Sequence, residues 1–235
     1  MELRGKVAIV TGSTRGIGRA IVDALHAAGA RVVVSARSGS AAEGVAGELG
    51  EGALGVACDV RSYEDCARLV ERCRAEFGRL DILINNAGIG AFAPVRELAP
   101  ATWRDVIGTN LDGVFFCCHA ALPELIAAGE SWIINIGSLA GKNAFPNGGA
   151  YNASKFGLIG FSEALMQEVR HQGVRVSYIM PGSVATDFNL PSERGADAWK
   201  VQPEDIAQIV LDLLAMPGRT LPSRVEVRPS RPPQR

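Results

Sequence analysis

The stretch Lys6-Val-Ala-Ile-Val-Thr-Gly-Ser-Thr-Arg-Gly-Ile-Gly18 decides how the chain is read. It opens with a nearly continuous apolar run, Val7 to Val10, of the kind a strand shows when both faces are buried. Three glycines follow, Gly12, Gly16 and Gly18, and a helical pattern then runs to about residue 28, where Gly29 supplies a stop. Glycines between a strand and a helix permit a tight turn and let a ligand approach the backbone closely. The helix start adds free N–H groups and partial positive charge, which suits a phosphate. The spacing is G-x-x-x-G-x-G rather than the commoner G-x-G-x-x-G. Set at the first strand, it reads as a nucleotide or dinucleotide turn, with Gly12, Ser13, Thr14, Arg15, Gly16, Ile17 and Gly18 as candidate contacts.

Downstream, strands and helices alternate. Strands are expected over 31–36, 54–58, 80–84, 132–136 and 174–180, and helices over 41–49, 62–77, 102–128 and 151–172. A last helix is expected over 203–216, an edge strand over 224–228 and an irregular tail over 229–235. Short connections between alternating elements imply right-handed βαβ units, a mostly parallel sheet and one domain spanning 1–235. The segment 185–201 has no periodicity and reads as a loop. In open sheets of this kind ligands sit beyond the C-terminal strand ends. Gly12, Asp59, Asn86, Ser138 and Pro181 each follow a strand directly, so the polar groups gather on one rim.

The stretch from Ser138 to Lys155 places a hydroxyl, a phenol and an ammonium in order: Ser138, Tyr151, Lys155. Tyr151 and Lys155 are four residues apart at a helix start, hence on one face. A neighbouring cation lowers a phenol's pKa and makes a proton donor and acceptor suited to neutral pH. The bland alternatives are a turn-forming serine and an ordinary amphipathic helix start. On the 102–128 helix the apolar stripe of Trp103, Val106, Ile107, Leu111, Val114, Cys118, Ala121, Leu122 and Leu125 also contains Asn110. A buried amide needs partners. Either it bonds a neighbouring strand, or its side chain or distorted backbone serves a site.

The end of the second strand bears on the choice of nucleotide. An acid there would hold a ribose diol and repel a 2′-phosphate. Val34-Ser-Ala-Arg37-Ser carries no acid, and the Arg37 and Arg15 guanidinium forks suit a phosphate. NADP is therefore expected over NAD.

Composition excludes more than it assigns. With 24 basic and 25 acidic residues the formal net charge is −1, which leaves no global footprint for nucleic acid or a membrane surface. No apolar run reaches the eighteen or so residues of a membrane span, and neither a signal-peptide core nor a lipidation ending is read, so a cytoplasmic location is expected. The five cysteines form no C-x-x-C pair and do not cluster with the three histidines, so no metal site is expected.

Together these residues resemble the short-chain dehydrogenases/reductases (SDRs) over nearly the whole length. The resemblance rests on Thr11-Gly-x-x-x-Gly-x-Gly18, Asp59-Val60, Asn85-Asn-Ala-Gly88, Asn110, Ser138, Tyr151-x-x-x-Lys155 and Pro181-Gly182. The early part looks most like the 3-oxoacyl-carrier-protein reductase branch. The resemblance implies a Rossmann-like, doubly wound parallel sheet of about seven strands with helices on both faces. It also implies hydride transfer between NADP(H) and a small carbonyl or secondary alcohol. In it Tyr151 is the acid/base, Lys155 lowers its pKa and holds the nicotinamide ribose, Ser138 binds the substrate oxygen, and Asn110 holds a relay water. It further implies that Asp59 and Val60 contact the adenine, and that Asn86, with Ala87 and Gly88, lines the cofactor channel. Pro181, Gly182, Val184 and Thr186 then lie along the carboxamide and pyrophosphate, 186–202 forms a substrate loop, and a homodimer or homotetramer is expected. Two rival readings remain open: an idle NADP-binding redox sensor, and an isomerase or dehydratase that retains its cofactor. The ending Val225-Glu-Val-Arg-Pro-Ser-Arg-Pro-Pro lacks the glycine-rich finish of that reductase branch, so a fatty-acyl substrate is not implied.

Overall fold

The computed structural model describes residues 1–186 and 198–233. Among the described residues, seven strands form one sheet and seven α-helices accompany it. They run β1 (Val7–Thr11), α1 (Gly16–Ala27), β2 (Arg31–Ala36), α2 (Gly39–Leu49), β3 (Ala53–Ala57), α3 (Tyr63–Phe77), β4 (Ile82–Asn85) and α4 (Pro100–Ile107). After these come α5 (Gly113–Ala127), β5 (Ser131–Ile136), α6 (Gly149–Val169), β6 (Val174–Pro181), α7 (Pro203–Ala215) and β7 (Arg224–Val227). The strand order is β3-β2-β1-β4-β5-β6-β7, and each neighbouring pair is parallel. The expected fold class is therefore the observed one.

The continuous apolar runs are explained by two cores. Along β1, Ala8 and Val10 point to the face covered by α1 and α7, while Val7 and Ile9 point to the face covered by α3, α5 and α6. Side chains on a strand alternate between faces, so a strand covered on both sides must be apolar throughout. Each fully buried Val, Leu or Ile contributes about 1.5–3 kcal/mol relative to exposure. The order reverses at β1, whose neighbours are β2 and β4. A crevice opens there at the C-terminal strand ends.

The helix starts and stops follow the sequence chemistry. Ser62 accepts from the Asp65 N–H at 3.1 Å, and Gly78, in the left-handed conformation at φ 76°, ends α3. Ser38 accepts from the Ala41 N–H at 3.3 Å and starts α2 at Gly39, two residues before the expected start. The helix expected over 102–128 is interrupted. A π turn, Gly108–Asp112, separates α4 from α5, and the Gly113 N–H reaches back five residues to the Gly108 carbonyl. Trp103, expected on the buried stripe, is 42% exposed, because α4 contributes only Val106 to the core. The expected edge strand is β7, which extends the sheet beyond β6 in parallel. The larger part of the expected substrate loop, 187–197, lies outside the described residues.

Candidate active site

The glycine turn and the turn after β4 are laced together. Asn86 donates from Nδ2 to the Thr11 and Gly12 carbonyls, both at 2.9 Å, while the Asn86 and Ala87 N–H groups both donate to Thr11 Oγ1 at 3.1 Å. Glycine is required where the two turns meet. A Cβ at Gly18 would stand 2.4 Å from Asn86 Nδ2 and 2.5 Å from the Gly12 carbonyl. At Gly12, with φ 63°, it would stand 2.9 Å from Ala87 Cα. The Ser13 hydroxyl turns inward, donating to the Val10 carbonyl at 2.7 Å and accepting from the Ser35 N–H at 3.0 Å, and the Ser13 N–H donates to the Ser35 carbonyl at 3.0 Å, so this buried residue ties the glycine turn to β2. Arg15 stands at the helix start with an extended backbone, and no side chain caps α1. The first N–H groups of α1 and their partial positive charge therefore face the crevice, flanked by Thr14 and Ile17, and these residues fit a phosphate group. Opposite, Thr186 Cγ2 would lie 3.4 Å from a Cβ on Gly16. Its segment is fixed by pairing of Val184 with Val201, and the Gly182 N–H donates to the Val227 carbonyl at 2.8 Å. Pro181, at the end of β6, is buried.

Arg37 is exposed just past β2. The Asp59 carboxylate is held by the Arg61 guanidinium at 2.6–3.1 Å, which keeps it below the usual carboxylate range, and Arg37 adds to this through space. The Val60 side chain packs on α5, where a Cβ at Gly113 would meet Val60 Cγ2 at 2.8 Å. Any contact of Val60 with a bound base therefore falls to its backbone.

The second half of the rim gathers the four residues singled out from β5, α6 and the π turn. Ser138 follows β5, and its Oγ accepts from the Ala140 N–H at 3.1 Å and shares a hydrogen bond with the Tyr151 phenol. Tyr151 lies in the first turn of α6, on the same side as Lys155. Lys155 is buried, and its Nζ donates to the Ile136 carbonyl at 2.9 Å and lies 5.8 Å from the centroid of the Tyr151 ring. Burial pushes the Tyr151 phenol up, opposed by the Ser138 hydrogen bond, and pushes Lys155 down to about 8. The expectation that the ammonium lowers the phenol is thus not met in the protein alone. Desolvation favours the neutral form of both groups, and the Lys155 head is turned toward a carbonyl.

Asn110 finds its partners in a loop and a helix rather than in the expected neighbouring strand. It is buried in the π turn, with Oδ1 accepting from the Ile89 N–H at 2.8 Å and Nδ2 donating to the Ile89 carbonyl at 2.9 Å and to Ser154 Oγ at 3.0 Å. Ser154 Oγ in turn donates to the Tyr151 carbonyl at 2.8 Å. The amide thus ties the loop after β4 to the Tyr151 turn, with both of its N–H groups engaged. What the π turn leaves available is backbone, since such turns free carbonyl groups from the regular ladder. A Cβ at Gly88 would stand 3.4 Å from Asn110 Oδ1 and 3.9 Å from Lys155 Nζ, so Gly88, Asn110 and Lys155 converge.

Residues not read from the sequence also belong here. Ser154 carries one of the connections just described, Phe92 meets the Tyr151 ring, and Phe145 meets Phe92. The two phenylalanines lie in loops, where no periodicity marks them. Among the described residues no group of three or more His, Cys, Asp or Glu side chains could hold a metal ion.

Comparison with known proteins places this arrangement. The family model for "short chain dehydrogenase" matches residues 6–196. The chain is 40% identical over 190 residues to the 3-oxoacyl-[acyl-carrier-protein] reductase of Escherichia coli strain K12, covering 80% of this chain and 77% of that one. It superposes on a metagenomic short-chain oxidoreductase solved with NADP, at 39% identity and TM-score 0.85, covering 98% and 100% of the two chains. It also superposes on the 3-ketoacyl-(acyl-carrier-protein) reductase of Brucella melitensis solved with NADH, at 29% identity and TM-score 0.89, covering 97% and 98%. The glycine turn laced to the Asn86 turn and the Ser138, Tyr151 and Lys155 cluster lie within the matched span, and the chain belongs to the short-chain dehydrogenase family.

Proposed function

We propose that this protein is an oxidoreductase that moves a hydride between NADP(H) and a carbonyl or secondary-alcohol substrate, with Tyr151 as the acid/base. The observation that carries the reading is the convergence of Ser138, Tyr151, Lys155 and the Asn110 turn on the rim that holds the phosphate-binding glycine turn. When bound, the nicotinamide supplies the hydride in reduction and accepts it in oxidation. In reduction the carbonyl carbon gains the hydride while the Tyr151 phenol gives its proton to the oxygen, and oxidation reverses both transfers. Ser138 Oγ, oriented by the Ala140 N–H, directs its hydrogen toward the same oxygen and stabilises the charge that develops there. Lys155, at about 8, stays largely protonated at neutral pH and compensates the phenolate as it forms. Its position beside Gly88 and the Asn110 turn suits the ribose hydroxyls and a proton path from solvent through a water on the π-turn backbone.

The preference for NADP rests on exposed Arg37 and Arg15 flanking the adenosine end, with no acid at the close of β2. Asp59, Val60, Asn86, Ala87 and the Pro181–Thr186 segment complete the cofactor's path. A cytoplasmic location fits five cysteines that are all free and buried, and no helix among the described residues is long and apolar enough to cross a membrane. Trp103, Phe115 and Phe156, each more than 40% exposed on the π-turn helices and α6, supply an apolar face for a homodimer or homotetramer.

The test is a carbonyl panel followed by loss of NADPH or NADH absorbance. Turnover is expected with NADPH ahead of NADH, and Arg37→Ala should weaken NADPH binding about tenfold with NADH little changed. Cofactor binding without turnover of any carbonyl or alcohol would sink the reading, and equal effects of Arg37→Ala on both cofactors would remove the NADP assignment.

A further inference from the structure

The surface beside the Tyr151 ring carries two large apolar side chains that the fold does not require. Phe92, in the loop after β4, meets the Tyr151 ring edge to face, with centroids 5.6 Å apart and planes at 68°. Phe145, in the loop between Ser138 and Tyr151, meets Phe92 at 5.9 Å. Both are 43% exposed. Exposed aromatics that adjoin one another beside a reactive group mark a binding surface more than a packing need.

The two loops are built to hold these rings. The Ala93 N–H donates to the Asn147 carbonyl at 2.9 Å and joins one loop to the other. Asn152 on α6 anchors the second loop, donating from Nδ2 to the Ala140 carbonyl at 2.7 Å and accepting the Phe145 N–H at 3.4 Å. Asn147 takes φ 65°, a left-handed conformation uncommon outside glycine. Gly148 lets the Phe145 ring lie on the backbone, since a Cβ there would stand 2.5 Å from the ring's Cε2. Val95, 81% exposed, continues the apolar strip next to Gly149. The two cations on these loops lie in surface ion pairs, Arg96 with Glu97 and Lys142 with Glu226, which Arg224 and Arg228 share.

We propose that Phe92 and Phe145 form the substrate wall of this site and select carbonyls that carry a flat apolar substituent, namely aryl ketones and the corresponding secondary alcohols, over polyhydroxylated or anionic ones. The inference rests on the oxidoreductase reading above and names its substrate class. An aryl ring seated against Phe92 sets its carbonyl oxygen toward the Tyr151 phenol and replaces water on two aromatic faces.

The experiment compares kcat/KM with NADPH for an aryl methyl ketone, a four-carbon polyhydroxy ketone and a 2-oxo carboxylate. The aryl ketone is expected to lead by tenfold or more. Phe92→Ala and Phe145→Ala should each raise KM for the aryl ketone about tenfold more than for the other two substrates, with NADPH binding unchanged. Phe145→Leu, which keeps the apolar bulk and loses the flat face, should show the same selective loss if Phe145→Ala disturbs folding. A wild-type preference for the polyhydroxy or anionic substrate, or equal losses on all three in the variants, overturns the substrate class and leaves the oxidoreductase reading standing. Failure of the wild type to reduce any carbonyl despite binding NADPH overturns both.

Discussion

Lys155 is a cation that the fold holds away from water. Its ammonium sits in a buried position with one carbonyl, that of Ile136, as the hydrogen-bond partner of its Nζ, and burial lowers it to about 8. A lysine depressed in the folded state and ordinary in the unfolded one, at 10.5, opposes folding wherever it is charged in both. That opposition is complete below about 8 and is relieved as pH rises from 8 toward 10.5. The cofactor-free protein should therefore gain stability over this window relative to Lys155→Met, by roughly 3 kcal/mol in the difference between the two. Urea unfolding of both proteins at several pH values checks it, and a difference that stays flat with pH would contradict the burial of a charged lysine. The residue type and spacing were legible in the sequence, because Tyr151 and Lys155 share a helix face. The sign of the shift was not, because it depends on how deep α6 lies against β5. Asn110 was legible as an intruder on an apolar stripe, but its partners at Ile89 and Ser154 come from a loop and a second helix that spacing alone cannot bring near.

At the scale of elements, the sheet's centre is tied by Asp81. It precedes β4 with no exposed side-chain surface, accepting the Val7 N–H and Lys6 Nζ at 3.0 Å and Arg79 Nε at 2.8 Å. Burial pushes its carboxyl up, but Arg79, the Val7 N–H and Lys6 outweigh this and hold it below its ordinary value. The stability it contributes is present above the unfolded value of 3.8 and is lost as pH falls through the lower folded one. Asp81→Asn should cost about 2 kcal/mol, because the Val7 N–H and two partly exposed cations lose their shared charged acceptor at the β1–β4 joint. Urea unfolding at neutral pH measures it, and a loss below about 1 kcal/mol would mean the joint is held by the strand ladder alone. The strands themselves were legible to within a few residues, because burial on both faces demands unbroken apolar runs. The π turn was not legible, since a single residue inserted into a helix leaves the apolar period on either side nearly intact.

Across the whole molecule, seven parallel strands send the glycine turn, the Asn86 turn, Ser138 and the Pro181 turn to one rim, and α6 brings Tyr151 and Lys155 beneath it. That convergence could be read from the sequence because the four turns each follow a strand directly and Tyr151 and Lys155 share a helix face. The aromatic wall of Phe92 and Phe145 could not, because it is assembled by two irregular loops whose joining bond, Ala93 to Asn147, spans the fold. The glycine turn and the Ser138, Tyr151 and Lys155 cluster were therefore open to sequence reasoning, and the two loops beside Tyr151 were closed to it. The central claim is that the Tyr151 phenol handles the proton of a hydride transfer on this rim. It is tested most directly by Tyr151→Phe, with carbonyl reduction by NADPH and NADPH binding measured on the same preparation. The expected result is a loss of kcat of at least about a hundredfold, in the range of general acid catalysis, with binding of NADPH changed by less than threefold. Turnover retained within a few-fold of the wild type would contradict it.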